Sequence, residues 1–208
     1  MNALIDKRIE KMSAALKWNL MTVEDYLAYE FASPIKHEYV GGVLHAMAGA
    51  RVVHDIIAVN IISALHSQLR GKGCRPFSSD MKIRIQMPGH IRFYYPDASV
   101  ICHSTPRDES FQDEPVVIFE VLSRKTRRVD LGEKKDGYLS IPSLSVYVLV
   151  EQDSPVVVAF RRTKSGFVRE LYEGLDAILP LGEIHTELPL SEIYSGAELG
   201  PDGDDDDN

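Results

Sequence analysis

The sequence predicts a mixed α/β fold, and three stretches carry that prediction. Residues 116–126, VVIFEVLSRKT, form an apolar run rich in Val, Ile and Phe behind Pro115, the pattern of a strand buried on both faces. Residues 146–152, VYVLVEQ, read as a second buried strand. Residues 51–70 carry Val53, Ile57, Ile61, Ala64 and Leu65 as one wide stripe, with Gly71 and Gly73 as the stop, which predicts a long helix. The first strand also holds Glu120, a carboxylate whose burial is costly unless a cation or a metal compensates it.

The other elements follow in order. Residues 1–21 place Leu4, Ile5, Ile9, Met12 and Leu16 at helical spacing and predict an amphipathic leader that packs on the body or on a second subunit. Thr22 with Asp25 is an N-cap signal, so a short helix should cover about 22–31 and end before Pro34. Two half-apolar arms around Gly41-Gly42 predict a β-hairpin with Glu38 on its first arm. Strands are expected near 74–78, 80–87 and 92–102, with a turn at Pro88-Gly89. Pro96-Asp97 interrupts the last of these, so a bend or bulge is expected there, with Asp97 on the face of Ser99 and Ile101. Asp130, Lys134 and Tyr138 stand at i, i+4 and i+8, on one face of a helix. Further strands are expected from 156 onwards, and the domain runs over 22–199.

Composition narrows the function classes. The net charge of −8 argues mildly against nucleic-acid binding, but Asp202, Asp204, Asp205, Asp206 and Asp207 carry five of those charges. They fall in the tail 200–208, whose composition is that of a solvated, disordered segment. Arg124, Lys125, Arg127 and Arg128 leave room for a local basic surface. Cys74 and Cys102 alone make neither a disulfide framework nor a zinc cluster. No apolar run approaches membrane-spanning length, and the charged N-terminus is not a signal peptide, so a cytoplasmic location and no membrane partner are expected.

Asp97 and Glu120 lie on successive strands. If those strands are neighbours, their oxygens suit Mg²⁺ or Mn²⁺, and a nearby lysine can stabilise charge on a phosphoryl oxygen. Each residue also has a plainer reading. Asp97 is a turn residue, Glu120 the partner of a buried Arg or Lys, and Lys134 a solvated helix residue. Glu38 is a surface carboxylate, and His54 is half-buried at the start of its helix.

The ordered set EYVGGVLHAMAG (38–49), the His54 helix, YYPDASVIC (94–102), FEVLSRKT (119–126), D-x-x-x-K-x-x-x-Y (130–138) and YVLVEQD (147–153) resembles the PD-(D/E)xK nuclease superfamily. More closely, it resembles the Uma-type, restriction-endonuclease-like branch. The resemblance implies a mixed central sheet flanked by helices, with an N-terminal helix and hairpin and extra C-terminal strands. It implies Mg²⁺-dependent cleavage of DNA, with Asp97 and Glu120 as metal ligands, Glu38 beside them, and His54 and Tyr138 in support. The simplest superfamily pattern puts Lys two residues after the acid, where this chain has Leu122; the branch moves it to the next helix, at Lys134. Lys135 and Lys125 are the other candidates. The alternatives are a catalytically idle scaffold that binds DNA or a protein, a homodimeric interaction protein, and a hydrolase of other phosphate esters.

Overall fold

The computed structural model describes residues 20–47, 49–103, 106, 108–124 and 126–200. Most of the leader, the tail from 201, and Lys125 lie outside the described residues. The chain divides into two compact units, one of residues up to Ala48 with Gln86–Phe93, the other of Gly49–Ile85 with Tyr94 onwards.

In the first unit, α1 (Val23–Ala32) begins where Thr22 accepts a hydrogen bond from the Asp25 N–H. Strands β1 (His37–Val40) and β2 (Val43–Ala46) form the expected hairpin, with Glu38 facing His45. Gly41 and Gly42 turn it at φ +56° and +102°, a conformation that side chains resist. A Cβ on Gly42 would also meet the Leu20 Cβ at 2.7 Å. Gly42→Ala is therefore expected to cost about 2 kcal/mol of stability, read by denaturant unfolding. β1 pairs antiparallel with β5 (His90–Tyr94), and Tyr26, Tyr39 and Phe93 pack ring against ring beneath it.

The second unit is built on a six-stranded mixed sheet in the order β11-β10-β9-β8-β6-β3. Its strands are β3 (Arg75–Ser78), β6 (Ala98–Ile101), β8 (Pro115–Leu122), β9 (Val146–Glu151), β10 (Val156–Thr163) and β11 (Gly166–Glu173). β8 runs antiparallel to β6 and parallel to β9. The short strand β7 (Phe111–Gln112) pairs in parallel with the start of β4 (Lys82–Met87).

Period-two alternation sends Val117, Phe119 and Val121 to one face of β8. There they meet Ile57, Ile61 and Leu65 of α2 (Val52–Leu69) and the hairpin of β12 (Ile178–Leu181) and β13 (Thr186–Pro189). Each large apolar side chain buried there contributes about 2 kcal/mol. The other face is covered by a helical segment that runs α3 (Arg127–Val129), a π turn (Asp130–Lys134) and α4 (Lys135–Leu139). Cover on both faces explains the unbroken apolar run of β8. By length and composition α2 could cross a membrane, but its stripe is spent on this core.

Tyr194, at the end of α5 (Leu190–Ile193), donates to the Glu151 and Val156 carbonyl oxygens at 2.9 Å each. Burial first, and then the nearby Glu151 and Asp153 charges, raise its pKa above the usual 10.0, partly offset by the Val156 backbone. Stability from this phenol is full below pH 10 and is lost as pH rises towards the folded value. Tyr194→Phe should cost about 1–2 kcal/mol at neutral pH and flatten the alkaline loss, measured by urea unfolding across pH.

Cys74 and Cys102, too few for a disulfide framework, nevertheless join in a single disulfide, closed because β3 and β6 pair in a register that opposes Arg75 and Ile101. The two cysteines are 28 residues apart in sequence, so only the strand pairing reveals them as neighbours.

Candidate active site

Glu120 sits in mid-strand opposite Leu149 of β9 and is 3% exposed. Alternation points it away from the α2 face, towards the helical segment. Tyr138 donates its hydroxyl to Glu120 Oε1 at 3.0 Å, and Lys134 Nζ approaches the same oxygen at 3.5 Å. Lys134 is itself 7% exposed and lies 3.4 Å from Asp130 Oδ1. The three residues expected on one helix face thus share one buried polar cluster. Lys134, which could have been a solvated helix residue, is an ammonium held between two carboxylates.

The helix widens at this point. The π turn spans Asp130–Lys134, a local geometry that recurs at functional sites. Tyr147, below it, donates to the Asp130 carbonyl oxygen at 3.0 Å and packs at a tilt against Tyr138, which packs edge-on against Tyr94. Lys134 Nζ lies 5.6 Å from the centre of the Tyr94 ring. The Tyr94 ring therefore adds a weak attraction to the two carboxylates that hold the ammonium.

Asp97 falls in the bend just before β6, so strand alternation does not fix its direction. Its Oδ2 accepts the Val121 N–H at 2.7 Å and meets His54 Nε2 of α2 at 3.2 Å. Its carboxylate thus ties the β8 backbone to the start of α2. His54 is 15% exposed. Burial opposes its protonation, but the hydrogen bond and charge of Asp97, the Val121 backbone and the Asp130 charge outweigh that, and its pKa is raised.

Asp130 is the member that the sequence reading placed on the helix face but gave no role. It is 2% exposed, and its Oδ1 is met by the Lys134 ammonium at 3.4 Å without a well-formed hydrogen bond. Burial raises its pKa most; Lys134 and the Thr126 hydroxyl lower it, and the Asp97 charge raises it again. Asp130 therefore feels the Asp97 charge and touches Lys134, which links the His54–Asp97 pair to the Glu120–Tyr138 pair.

Glu38 lies on β1 of the first unit, whereas all these residues belong to the second. Lys135 points elsewhere, with its Nζ 5.4 Å from the Phe160 ring centre. Arg127 forks onto Glu151 with bonds of 2.6–2.8 Å and is not part of the cluster.

The family model described as "Putative restriction endonuclease", Uma2, matches residues 23–191. The uncharacterized protein slr1290 of Synechocystis sp. (strain ATCC 27184 / PCC 6803 / Kazusa) is 32% identical over 180 residues, 85% of this chain and 92% of that protein. Another from the same organism, the uncharacterized protein sll1609, is 29% identical over 136 residues, 64% of this chain and 76% of its own length. A solved structure, described as a putative nuclease belonging to DUF820 from Anabaena variabilis ATCC 29413, superposes with a TM-score of 0.69 at 19% identity. It covers 84% of this chain and 98% of that one. The likeness shows the fold expected from the sequence, a restriction-endonuclease-like mixed sheet flanked by helices.

Proposed function

Since the chain belongs to the Uma2 family, we propose that it is a nuclease that hydrolyses DNA phosphodiester bonds. The observation that carries this reading is the buried Glu120, set in the central strand and met by Lys134 and Tyr138. A cluster this dry and this charged is expensive to maintain, which favours a functional role over a merely structural one.

A divalent metal fits the donor set. Asp97 and Glu120 offer hard carboxylate oxygens, and the buried Asp130, which feels the Asp97 charge and pairs with Lys134, adds a third carboxylate to the cluster. Among the described residues no group of three or more His, Cys, Asp or Glu forms a ready-made metal cluster. Mg²⁺ and Mn²⁺ need no such cage, because in phosphate-handling sites Mg²⁺ takes one or two carboxylates and fills its shell with water and substrate phosphate. When bound, the ion would supply an activated water and neutralise charge on a phosphoryl oxygen.

The chain's own residues have separate tasks in this reading. Tyr138 fixes Glu120 through Oε1, which orients the carboxylate. Lys134 holds a positive charge against the negative charge that builds on the phosphate. The raised pKa of His54 favours its cationic form, which holds Asp97 and attracts an anionic substrate. Asp130 positions Lys134. Glu38 is a further carboxylate of this reading.

Plasmid DNA, RNA and a small phosphodiester, each incubated with Mn²⁺, test the substrate class side by side. DNA should be cut fastest. Equal turnover of the small ester, or no cleavage of any nucleic acid, would contradict the reading.

A further inference from the structure

A concave region lies at the far end of β6 from Asp97. Its volume is about 730 Å³, and its wall includes His66, Arg70 and Lys72 at the end of α2, Arg75 and Phe77 on β3, and Glu109. β3 is the last strand of its sheet. Ser78 opposes Ala98 beside Asp97, whereas Arg75 opposes Ile101, three residues or about 10 Å further along. The cavity is therefore distinct from the cluster around Glu120, and the Cys74–Cys102 disulfide ties its wall to β6.

Its charge is unusual for a chain of net charge −8. Three permanently cationic side chains and one histidine line it, against the one carboxylate of Glu109. Lys72 is pinned by its hydrogen bond to the His185 carbonyl at 3.1 Å. Arg70 and Arg75 are exposed, and among the described residues neither forms an ion pair with a carboxylate. Two guanidiniums with open donors suit phosphate oxygens, which they can grip bidentately. The buried Leu69 and the half-buried Phe77 and Met81 give the same cavity an apolar floor, on which a flat ring can lie.

We propose that this cavity binds a nucleotide, with the phosphate on Arg70 and Arg75 and the base against Phe77. The nucleotide is either free or one unit of a DNA strand. The free form does not depend on the nuclease reading, and the strand form extends it.

The test is equilibrium binding to the full chain in EDTA, so that no cleavage intervenes. The probes are 2′-deoxyadenosine 5′-monophosphate, a short single-stranded oligodeoxynucleotide and inorganic phosphate. Saturable binding of either nucleotide probe is expected, with inorganic phosphate weaker because it leaves the apolar floor unused. The Arg70→Gln/Arg75→Gln double variant should lose about tenfold or more in affinity, and Glu109→Gln should bind more tightly. Binding of the mononucleotide assigns a small ligand, and binding of the oligonucleotide alone assigns a DNA segment. No binding of either probe at about 1 mM would overturn the proposal. So would unchanged affinity in the arginine variant.

Discussion

Glu120→Gln is expected to lower the rate of DNA cleavage on the order of 10³-fold or more while leaving the fold intact. Glutamine keeps the shape of the side chain and an oxygen that can accept the Tyr138 hydroxyl, so the packing of β8 against the helical segment survives. The negative charge is lost. Lys134 retains Asp130 at 3.4 Å, so its ammonium is not stranded in the interior. Stability should therefore change by about 1 kcal/mol, far less than the roughly 4 kcal/mol that a 10³-fold rate loss represents. The pair of measurements is single-turnover plasmid cleavage and urea unfolding. A large fall in stability with a proportionate fall in rate would make Glu120 a structural residue.

Lys134→Met should do the reverse as well as slow the reaction. Removing the ammonium leaves Glu120 and Asp130 facing a common gap, both nearly free of solvent. A buried ion pair broken from one side costs on the order of 3 kcal/mol, and loss of a charge-stabilising donor costs on the order of 10²-fold in rate. The vacated carboxylates should then prefer a cation from solution. Added Mn²⁺ is expected to raise the melting temperature of Lys134→Met more than that of wild type, because binding to the folded state alone stabilises it by linkage. A variant as stable as wild type without Mn²⁺, or one indifferent to Mn²⁺, would remove Lys134 from the cluster.

Much of the site was legible in the chain because its signals are local. A lone acid in an unbroken apolar run marks Glu120. Proline before Asp97 marks the break in the strand, which lies where expected between Tyr94 and Ala98. The spacing of Asp130, Lys134 and Tyr138 put three polar side chains on one face, and the fold brings all three to one cluster around Glu120.

What stayed hidden depends on partners far apart in sequence or on backbone detail. Nothing in residues 130–134 announces a π turn, since an α-helix and a π turn accept the same residues and differ by one hydrogen-bond register. His54 and Asp97 meet only because α2 packs across the β6–β8 face, so neither local reading of His54 included an ion pair with Asp97. Asp130 looks like ordinary helix polarity in the sequence; only the fold shows its burial and its pairing with the buried Lys134. The disulfide needed the β3–β6 register.

Titration of the metal-free protein with Mn²⁺, followed by the loss of free-ion paramagnetic resonance signal, bears most directly on the role of the buried acid. Wild type should take up Mn²⁺ saturably, and Glu120→Gln should bind it at least about tenfold more weakly. Equal uptake by the two proteins, or none by wild type, would contradict a metal-gripping role for Glu120.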